Sequence, residues 1–543
     1  MEHLSSMDAS FLHLETPEMP MHVGSLVLFD LPDGYQGDFY EDVKALIGKR
    51  MHLSSIMTRK LATMPFELAE PVWIQDDDID LDFHVRSITL RRPGTMKQLH
   101  QLIARMHSSL LDRSRPLWEM IVIEGLENGQ VGFYTKAHHS GIDGKAGVEL
   151  AKVLYDVTPK PREVRPPTRR KTAERYQLGV TELLQAALTN SVARYREIAA
   201  LLPNAAKALA AAGKVIAAQR TPKGERKLNL GLAPKTVFNV SITNQRSYST
   251  MSVPLGDLKA LGKRVGGTVN TIVMAMCAGA LRRFLQERGE LPKAGLIAMV
   301  PVSLRGAGDD RMNNQVSAIR VDLATDIADL GERFKAIHAS SEAAKAVVRE
   351  LKPVLGVDMP ITGAPWLMTS MASLYGRSNL ASRLPAYGNV AISNVPGSPV
   401  PLYMAGARMR HYYPVSIPGH GMALNITVQS YADSLEFGLT ACRRTVSQEE
   451  SYELIDYLRD ALDEIRQLPS VDIEVEAAEV PAPAAKRRAK ALPAPAAVGG
   501  AAAAKRRVAA AKRPAAAEKP AAAKRTAAAK KPAAGKRAAA RAA

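Results

Sequence analysis

The composition of the chain changes abruptly after Val480, and this break limits which residues can fold. From Pro481 to Ala543 nearly every residue is Ala, Lys, Arg, Pro or Gly, and from Ala509 a six-residue period of the type AAAKRP recurs. A segment with so little apolar surface to bury cannot offset the entropy lost on ordering it. We therefore predict a disordered basic tail over residues 476–543.

The tail also carries most of the net charge. The whole chain has a formal net charge of +18, and residues 481–543 contain 17 Lys and Arg against one acid, Glu518. Their share is +16, which leaves +2 for residues 1–480. The basic composition therefore describes the tail and does not indicate a nucleic-acid-binding face on the folded part.

Two stretches that mix helical and strand patterns precede the tail. Residues 1–158 combine short β-rich runs with an amphipathic helical pattern at 99–106, and residues 236–475 contain a helical pattern at 271–285. The second stretch also holds strand patterns and a final helix, at 296–302, 424–431 and 447–467. We predict an α/β fold with two domains of similar size and kind.

The segment between the two domains, residues 159–235, is predicted to be a linker and helical crossover. It begins with a proline-rich connection and continues into an alanine-rich helical pattern at 176–219, which we interpret as a packing or bridging arm.

The cysteine content and the hydropathy of the chain indicate the cellular compartment in which the protein is expected. Cys277 and Cys442 offer neither a disulfide framework nor a cysteine-based zinc site, and Cys277 lies in an apolar run where burial is expected. The N-terminus lacks a signal-peptide pattern, and no run reaches the roughly 18 apolar residues of a spanning helix. We predict a cytoplasmic protein whose membrane contact is peripheral.

A predicted β-hairpin leads into the most distinctive motif. Strand-like runs at 121–123 and 131–135 flank Asn128-Gly129, which is a strong hairpin signal. The second strand continues into the run HHSGIDG at 138–144. Successive side chains of a strand point to opposite faces, so only one of the two histidines can serve a given site.

The rest of the motif predicts a turn. Gly141 and Gly144 allow the chain to turn sharply before a helix at 146–154, and Asp143 lies where a short carboxylate can tie down the turn or pair with a cation. Adjacent histidines are often structural, and a metal site is disfavoured because no third ligand follows at zinc-like spacing. The full pattern would arise by chance in on the order of one such chain in a thousand.

The pattern HHxxxDG is shared by a superfamily of acyltransferases that includes chloramphenicol acetyltransferase and peptide-synthetase condensation domains. Further stretches resemble one branch, the bacterial wax ester synthase/diacylglycerol acyltransferases, and the resemblance spans roughly residues 4–466. These stretches read LSSMDASFL from Leu4, PMHVG from Pro20, PLWE from Pro116, VPVSLR from Val300, NNQ from Asn313 and SNVPGS from Ser393. The resemblance implies two chloramphenicol-acetyltransferase-like domains with a channel between them.

The resemblance also implies roles for residues of the motif. In the family the second histidine acts, so His139 is expected to be the general base, because the pKa of imidazole lies near operating pH. His138 is its motif partner, Asp143 is expected to hold the loop by pairing with an arginine, and Gly144 closes the motif.

Residues outside the motif are candidates for substrate contacts. The Asn270 side chain and backbone N–H groups from Asn394 to Gly397 are candidate donors to the oxyanion. The segment around Asn394 is equally well explained as a turn. Pro116 and Trp118 are candidate substrate-binding residues, although Trp118 also fits a packing role. The family usually has Asn-Asp where this chain has Asn270-Thr271, so the acceptor that this chain prefers can differ from the acceptor that the family prefers.

The expected substrates are a long-chain acyl-CoA as co-substrate and an acceptor that is diacylglycerol or a fatty alcohol, with no other cofactor. The tail is expected to contact a membrane or lipid droplet, to bind DNA, or to remain a solvated extension. Alternative functions are a condensation domain, an acyltransferase that esterifies a polyketide or another lipid alcohol, and a non-enzymatic lipid- or nucleic-acid-binding protein.

Overall fold

Two six-stranded sheets and a three-stranded sheet form the framework of the protein. The computed structural model describes residues 2–62, 71–142, 144–166, 231–303, 316–355, 370, 374–376 and 378–470. All of them belong to one compact unit, residues 1–473. The predicted helical arm at 176–219 and the predicted disordered tail lie outside the described residues.

The strands are, in chain order, β1 (Glu2–His3), β2 (His22–Asp30), β3 (Arg59–Ala62), β4 (Val72–Gln75), β5 (Val85–Thr89), β6 (Trp118–Glu124), β7 (Val131–His138), β8 (Arg246–Pro254), β9 (Ile297–Ser303), β10 (Val316–Asp322), β11 (Val390–Val395), β12 (Tyr403–Met404), β13 (Ala407–Val415), β14 (Leu424–Tyr431) and β15 (Ser434–Cys442). The helices are α1 (Ser6–Leu14), α2 (Phe39–Arg50), α3 (Ser55–Thr58), α4 (Leu81–His84), α5 (Met96–His107), α6 (Gly144–Leu154), α7 (Leu255–Arg264), α8 (Val269–Glu287), α9 (Leu330–Leu355), α10 (Leu380–Arg383) and α11 (Gln448–Arg466). A 3-10 turn covers Met51–Leu53.

The strand order is β12-β13-β2-β7-β6-β5 in the first large sheet and β10-β9-β11-β14-β15-β8 in the second. The small sheet has the order β1-β4-β3. Most pairs are antiparallel, whereas β5 runs parallel to β6 and β11 runs parallel to both β9 and β14. The predicted α/β class is confirmed.

Local sequence signals account for the elements that were predicted. The hairpin of β6 and β7 turns at Asn128-Gly129, where Gly129 has φ +75° and the Gln130 N–H donates to Asn128 Oδ1 at 3.1 Å. The helical patterns correspond to α5, α8 and α11, each of which begins with a capping box that satisfies two of its first backbone N–H groups. The predicted strands correspond to β9 and β14.

One strand from the second half of the chain lies in the sheet of the first half. β13 pairs antiparallel with β2 along nearly its full length, and β12 pairs with β13 at the sheet edge. β13 also lies close to β15, where Gly438 faces the Pro414 carbonyl so closely that a Cβ at position 438 would overlap with it. The second half of the chain therefore contributes strands to both large sheets.

Each large sheet has its own apolar core. The first sheet packs on α2 and α6 through residues such as Phe29 and Phe133, and on α5 through residues such as Tyr134. The second sheet packs on α8, whose residues from Thr271 to Ala278 are all buried, and Cys277 is buried as predicted. Within the described residues no single helix has the length and hydropathy to span a bilayer. α7 and α8 do so only as a pair bent by 93°.

Candidate active site

The two motif histidines lie at the end of β7 in different surroundings. His138 is the last residue of the strand and is 1% exposed, whereas the following His139 is half-buried. β7 is held on both sides in the sheet, by β2 and by β6. The end of a central strand is a rigid support, so both imidazoles occupy defined positions.

The contacts of His138 define its tautomer. The Ser140 backbone N–H donates to His138 Nδ1 at 3.1 Å, and Ser140 Oγ lies 2.7 Å from the same atom. Because Nδ1 accepts from a backbone N–H, the ring proton of neutral His138 is on Nε2. That Nε2 atom lies 3.2 Å from Oε2 of Glu15. His138 therefore points away from solvent and toward a buried carboxylate.

Glu15 is the centre of a buried polar cluster. Its Oε2 also lies 3.2 Å from His22 Nε2 and accepts the Met21 backbone N–H at 3.0 Å. Its Oε1 accepts from the Arg113 guanidinium through Nε at 3.2 Å and Nη2 at 2.8 Å. Burial acts to raise the pKa of Glu15, but the neighbouring His138 and His22 outweigh it and hold that pKa well below its usual value. Glu15 is therefore a carboxylate at neutral pH.

The neighbouring titratable groups are mostly buried. Burial lowers the pKa of His22 to about 4 and also lowers the pKa of His107, so both rings are neutral at pH 7. Lys136 is two residues before His138 on the same face of β7, and its Nζ lies 3.2 Å from Glu119 Oε2. Burial also lowers the pKa of the Lys136 ammonium group. The ion pair with Glu119 compensates part of that desolvation.

His139 is fixed by two contacts with the segment that follows β1. Its backbone N–H donates to the Met21 carbonyl at 2.8 Å. Its ring stacks on Phe11 of α1, with ring centroids 4.0 Å apart and an interplanar angle of 10°. A stack of this kind restrains the plane of the imidazole. The arrangement suits a histidine that exchanges a proton with a bound molecule.

The remainder of the motif is only partly described. α6 begins at Gly144, two residues before the predicted start, and Asp143 lies outside the described residues, so its loop-holding role stays a prediction. Gly141 does not have a left-handed backbone, and a Cβ there would lie 3.7 Å from the His138 carbonyl oxygen and from Trp73. The chain turns here, with the Gly141 N–H donating to the His138 carbonyl at 3.0 Å, and a side chain at position 141 would make only ordinary contacts.

The other predicted site residues lie on elements away from the histidine pair in sequence. Asn270 is in the first turn of α8 and is half-buried. The adjacent Thr271 completes the cap of α8 and places Oγ1 3.2 Å from His338 Nδ1. The threonine thus has a local structural role that links α8 to α9.

The segment at Asn394 is the end of an ordered strand. Asn394 is exposed on β11 and pairs with Val428 of β14. The Gly397 backbone N–H donates to Ser430 Oγ at 3.0 Å, and a Cβ on Gly397 would overlap with the Ser430 carbonyl. The Gly397 N–H is thus already used within the fold, which weakens its candidacy as an oxyanion donor.

Trp118 and Pro116 are buried where the chain enters β6. Trp118 is 1% exposed, its indole N–H donates to the Met57 carbonyl at 3.1 Å, and its ring stacks on His84 with centroids 4.3 Å apart. Pro116 is buried beside it. Of the two interpretations of Trp118, the structure favours packing over substrate binding.

Sequence reasoning assigned no role to Phe11, Glu15, His22 or Arg113. Two of them lie within stretches that carried the family resemblance, but the contacts of Glu15 with Arg113 and His138 join segments about 100 residues apart. In the described part of the chain, no group of three His, Cys, Asp or Glu residues is arranged to hold a metal ion.

Comparisons with known proteins identify the family. The chain matches the model of the wax ester synthase/diacylglycerol acyltransferase catalytic domain over residues 4–273 and the model of the C-terminal domain of the same family over residues 312–466. A putative diacylglycerol O-acyltransferase of Mycobacterium tuberculosis is 36% identical over 468 residues, covering 86% of this chain and 99% of the relative. The O-acyltransferase WSD of Acinetobacter baylyi is 32% identical over 470 residues, covering 85% and 96%.

Solved structures share the fold of this chain. The wax ester synthase/diacylglycerol acyltransferase from Marinobacter aquaeolei VT8 matches with a TM-score of 0.61 and 32% identity, over 86% of this chain and 99% of that one. The first condensation domain of the calcium-dependent antibiotic synthetase shares the fold, with a TM-score of 0.52 at 14% identity, over 87% and 98%.

The fold and these comparisons thus define an acyltransferase. The chain belongs to the wax ester synthase/diacylglycerol acyltransferase family, as its motifs predicted. Both family models end before Val480, so the basic tail lies outside them.

Proposed function

We propose that the protein esterifies diacylglycerol with a long-chain acyl-CoA to give triacylglycerol, accepts fatty alcohols to give wax esters, and uses His139 as the general base. The observation that supports this most strongly is the setting of His139, a half-buried imidazole held by Phe11 and Met21 at the end of a central strand. Acyl-CoA is a co-substrate in this proposal, and no further cofactor is invoked.

In the proposed mechanism a ring nitrogen of His139 removes the proton from the acceptor hydroxyl as its oxygen attacks the thioester carbonyl carbon. The tetrahedral intermediate then collapses, the carbon–sulfur bond breaks, and the coenzyme A thiolate takes the proton from the imidazolium. The products are an ester and free coenzyme A, with no covalent acyl-enzyme. General-base assistance of this kind contributes roughly two to four powers of ten in rate.

The oxyanion of the intermediate needs donors that are already in place. We propose the amide of Asn270 as one donor, because it lies half-buried in the first turn of α8, where backbone N–H groups also point outward. Asn394 remains a second candidate, although its exposed position on β11 gives it less support. Asp143 is proposed to hold the motif loop, and Gly144 to begin the helix that follows it.

Location and the tail are separate proposals. Because the acceptor dissolves in lipid, we propose that the protein works in the cytoplasm at the surface of a membrane or lipid droplet. The 17 cations of residues 481–543 would attract any polyanion, either an anionic lipid surface or DNA. Deletion of residues 481–543, followed by liposome and DNA retention assays across salt concentrations, tests both partners. Unchanged retention of both would remove each role.

The experiment that tests the reaction is a matrix of purified protein with palmitoyl-CoA and one of three acceptors: diacylglycerol, hexadecanol or a hydroxylated polyketide. Release of free coenzyme A and the ester product are both measured. We expect triacylglycerol formation to be fastest, with wax ester formed more slowly. An esterified polyketide alone would favour the alternative acyltransferase. The absence of any ester would favour the non-enzymatic alternative.

A further inference from the structure

We infer that Glu15 is a positioning residue for the catalytic histidine pair, acting through His138 and the backbone of Met21. The inference rests on the proposed role of His139 as the general base. Glu15 contacts two features that restrain His139. One is the adjacent residue His138, and the other is the segment from Phe11 to Met21, which packs against His139.

The first feature is the adjacent residue His138. The Glu15 carboxylate lies 3.2 Å from the protonated Nε2 of His138, while the opposite side of that ring is fixed by Ser140. Ser140 hydrogen-bonds Nδ1 and the Glu15 carboxylate faces Nε2 at 3.2 Å, so rotation of the ring about its χ angles would break buried contacts on both sides. Because His138 and His139 are adjacent, a fixed His138 also fixes the direction in which the backbone presents His139.

The second feature is the segment that packs against His139. Glu15 Oε2 accepts the Met21 N–H, and the Met21 carbonyl in turn accepts the His139 N–H. Phe11, whose ring stacks on His139, is one helical turn before Glu15. Arg113 reinforces the same segment, since its Nη2 donates both to Glu15 Oε1 and to the Leu12 carbonyl at 2.9 Å. Both restraints on His139 therefore depend on the segment that Glu15 anchors.

The chemistry of this cluster requires a carboxylate. Oε2 faces the Met21 N–H, the His138 N–H and His22 Nε2, and Oε1 faces two N–H groups of Arg113. A glutamine has nearly the same shape but offers only one acceptor oxygen, so its NH₂ group must face one of these donor sets. Glu15→Gln therefore loosens either the His138 and Met21 side or the Arg113 side, without removing bulk.

The matched control is another buried carboxylate paired with arginine. Asp156 is 5% exposed and its Oδ2 lies 2.8 Å from Nη2 of the buried Arg50. Asp156 follows the C-terminal end of α6, whereas the histidine motif precedes the N-terminal end of that helix, roughly 16 Å away along its axis. Asp156→Asn therefore weakens another ion pair of a buried carboxylate without altering the anchor of the histidines. The Arg50 side chain is 2% exposed and the Arg113 side chain 43%, so the control removes the more deeply buried pair.

The test compares Glu15→Gln, Glu15→Asp, Asp156→Asn and His139→Ala, with kcat and KM for palmitoyl-CoA measured at least 10 °C below each variant's melting temperature. We expect kcat to fall between about tenfold and a hundredfold in Glu15→Gln with KM changed less than twofold, because a misplacement of about 1 Å costs rate on this scale. Glu15→Asp, which keeps the charge, is expected to retain more of kcat. Asp156→Asn is expected to lose thermal stability but to keep kcat within twofold.

Equal kcat values for Glu15→Gln and Asp156→Asn would overturn the inference. If His139→Ala kept the parent rate, the proposed function itself would fail, so the two failures are distinguishable. Should Glu15→Gln not fold, Phe11→Leu decides, since it removes the ring stack without altering a buried charge. A fall in kcat of at least fivefold at unchanged KM supports the inference that this segment holds His139 in its catalytic position. An unchanged kcat overturns that inference.

Discussion

Replacement of Gly438 by alanine tests the contact that joins the two sheets. Gly438 is on β15, and a Cβ built there would lie 2.9 Å from the Pro414 carbonyl carbon and closer still to its oxygen, on β13. Contacts below 3.0 Å force a shift, yet the strands cannot yield easily, because the flanking Phe437, Leu439 and Val415 are at most 1% exposed. Overpacking of this kind costs about 3 kcal/mol.

The assay is thermal and urea unfolding of the purified protein, with Gly256→Ala as the control. Gly256 lies in α7, and a Cβ at this position would meet no atom within 4 Å, so alanine there should be neutral or slightly stabilising. We expect Gly438→Ala to lower the melting temperature by about 5 °C or more. A melting temperature within 1 °C of the parent would refute the reasoning that β13 and β15 are locked backbone to backbone.

Three further predictions concern pH, packing and the oxyanion. Burial lowers the pKa of His22 and His100 to about 4, against about 6.5 in the unfolded chain, so the unfolded state binds protons first as the pH falls. The contribution of these two histidines to stability is therefore constant above about pH 7 and falls between pH 6.5 and 4, by up to about 3 kcal/mol per histidine. His100→Gln should reduce this acid-side loss in melting temperature, and an identical loss would contradict the assignment. Trp118→Phe removes the hydrogen bond to Met57 and should lower stability by about 1–3 kcal/mol while KM for acyl-CoA stays constant; a raised KM at unchanged stability would restore a substrate-binding role. Asn270→Ala should lower kcat about a hundredfold if its amide binds the oxyanion, and an unchanged kcat would exclude it.

Elements with local signals could be predicted from the sequence, and elements made by distant pairing could not. The periodicity around Leu99 and the Asn128-Gly129 turn contain within a few residues the information that forms α5 and the hairpin of β6 and β7. The pairing of β13 with β2 depends on a register between residues almost 400 positions apart, such as Pro414 and Ser25. Apolar alternation indicates a strand but not its neighbour.

The same distinction applies to the site. The histidine pair His138-His139 could be recognised from the sequence because all residues of its motif are contiguous. Glu15 could not, since a single glutamate in a sequence gives no sign that it will be buried, and its partners His22 and Arg113 come from other segments. Trp118 was assigned two possible roles, and only its contacts with surrounding residues favour one of them.

The central claim is that His139 is the general base, and coenzyme A release by His139→Ala tests it most directly. Parent protein and variant are compared with palmitoyl-CoA and diacylglycerol at saturating concentrations, after equal folding has been verified by thermal unfolding. The account predicts that kcat falls by at least a hundredfold in the variant, because proton removal from the acceptor hydroxyl is lost. A kcat within threefold of the parent would contradict it.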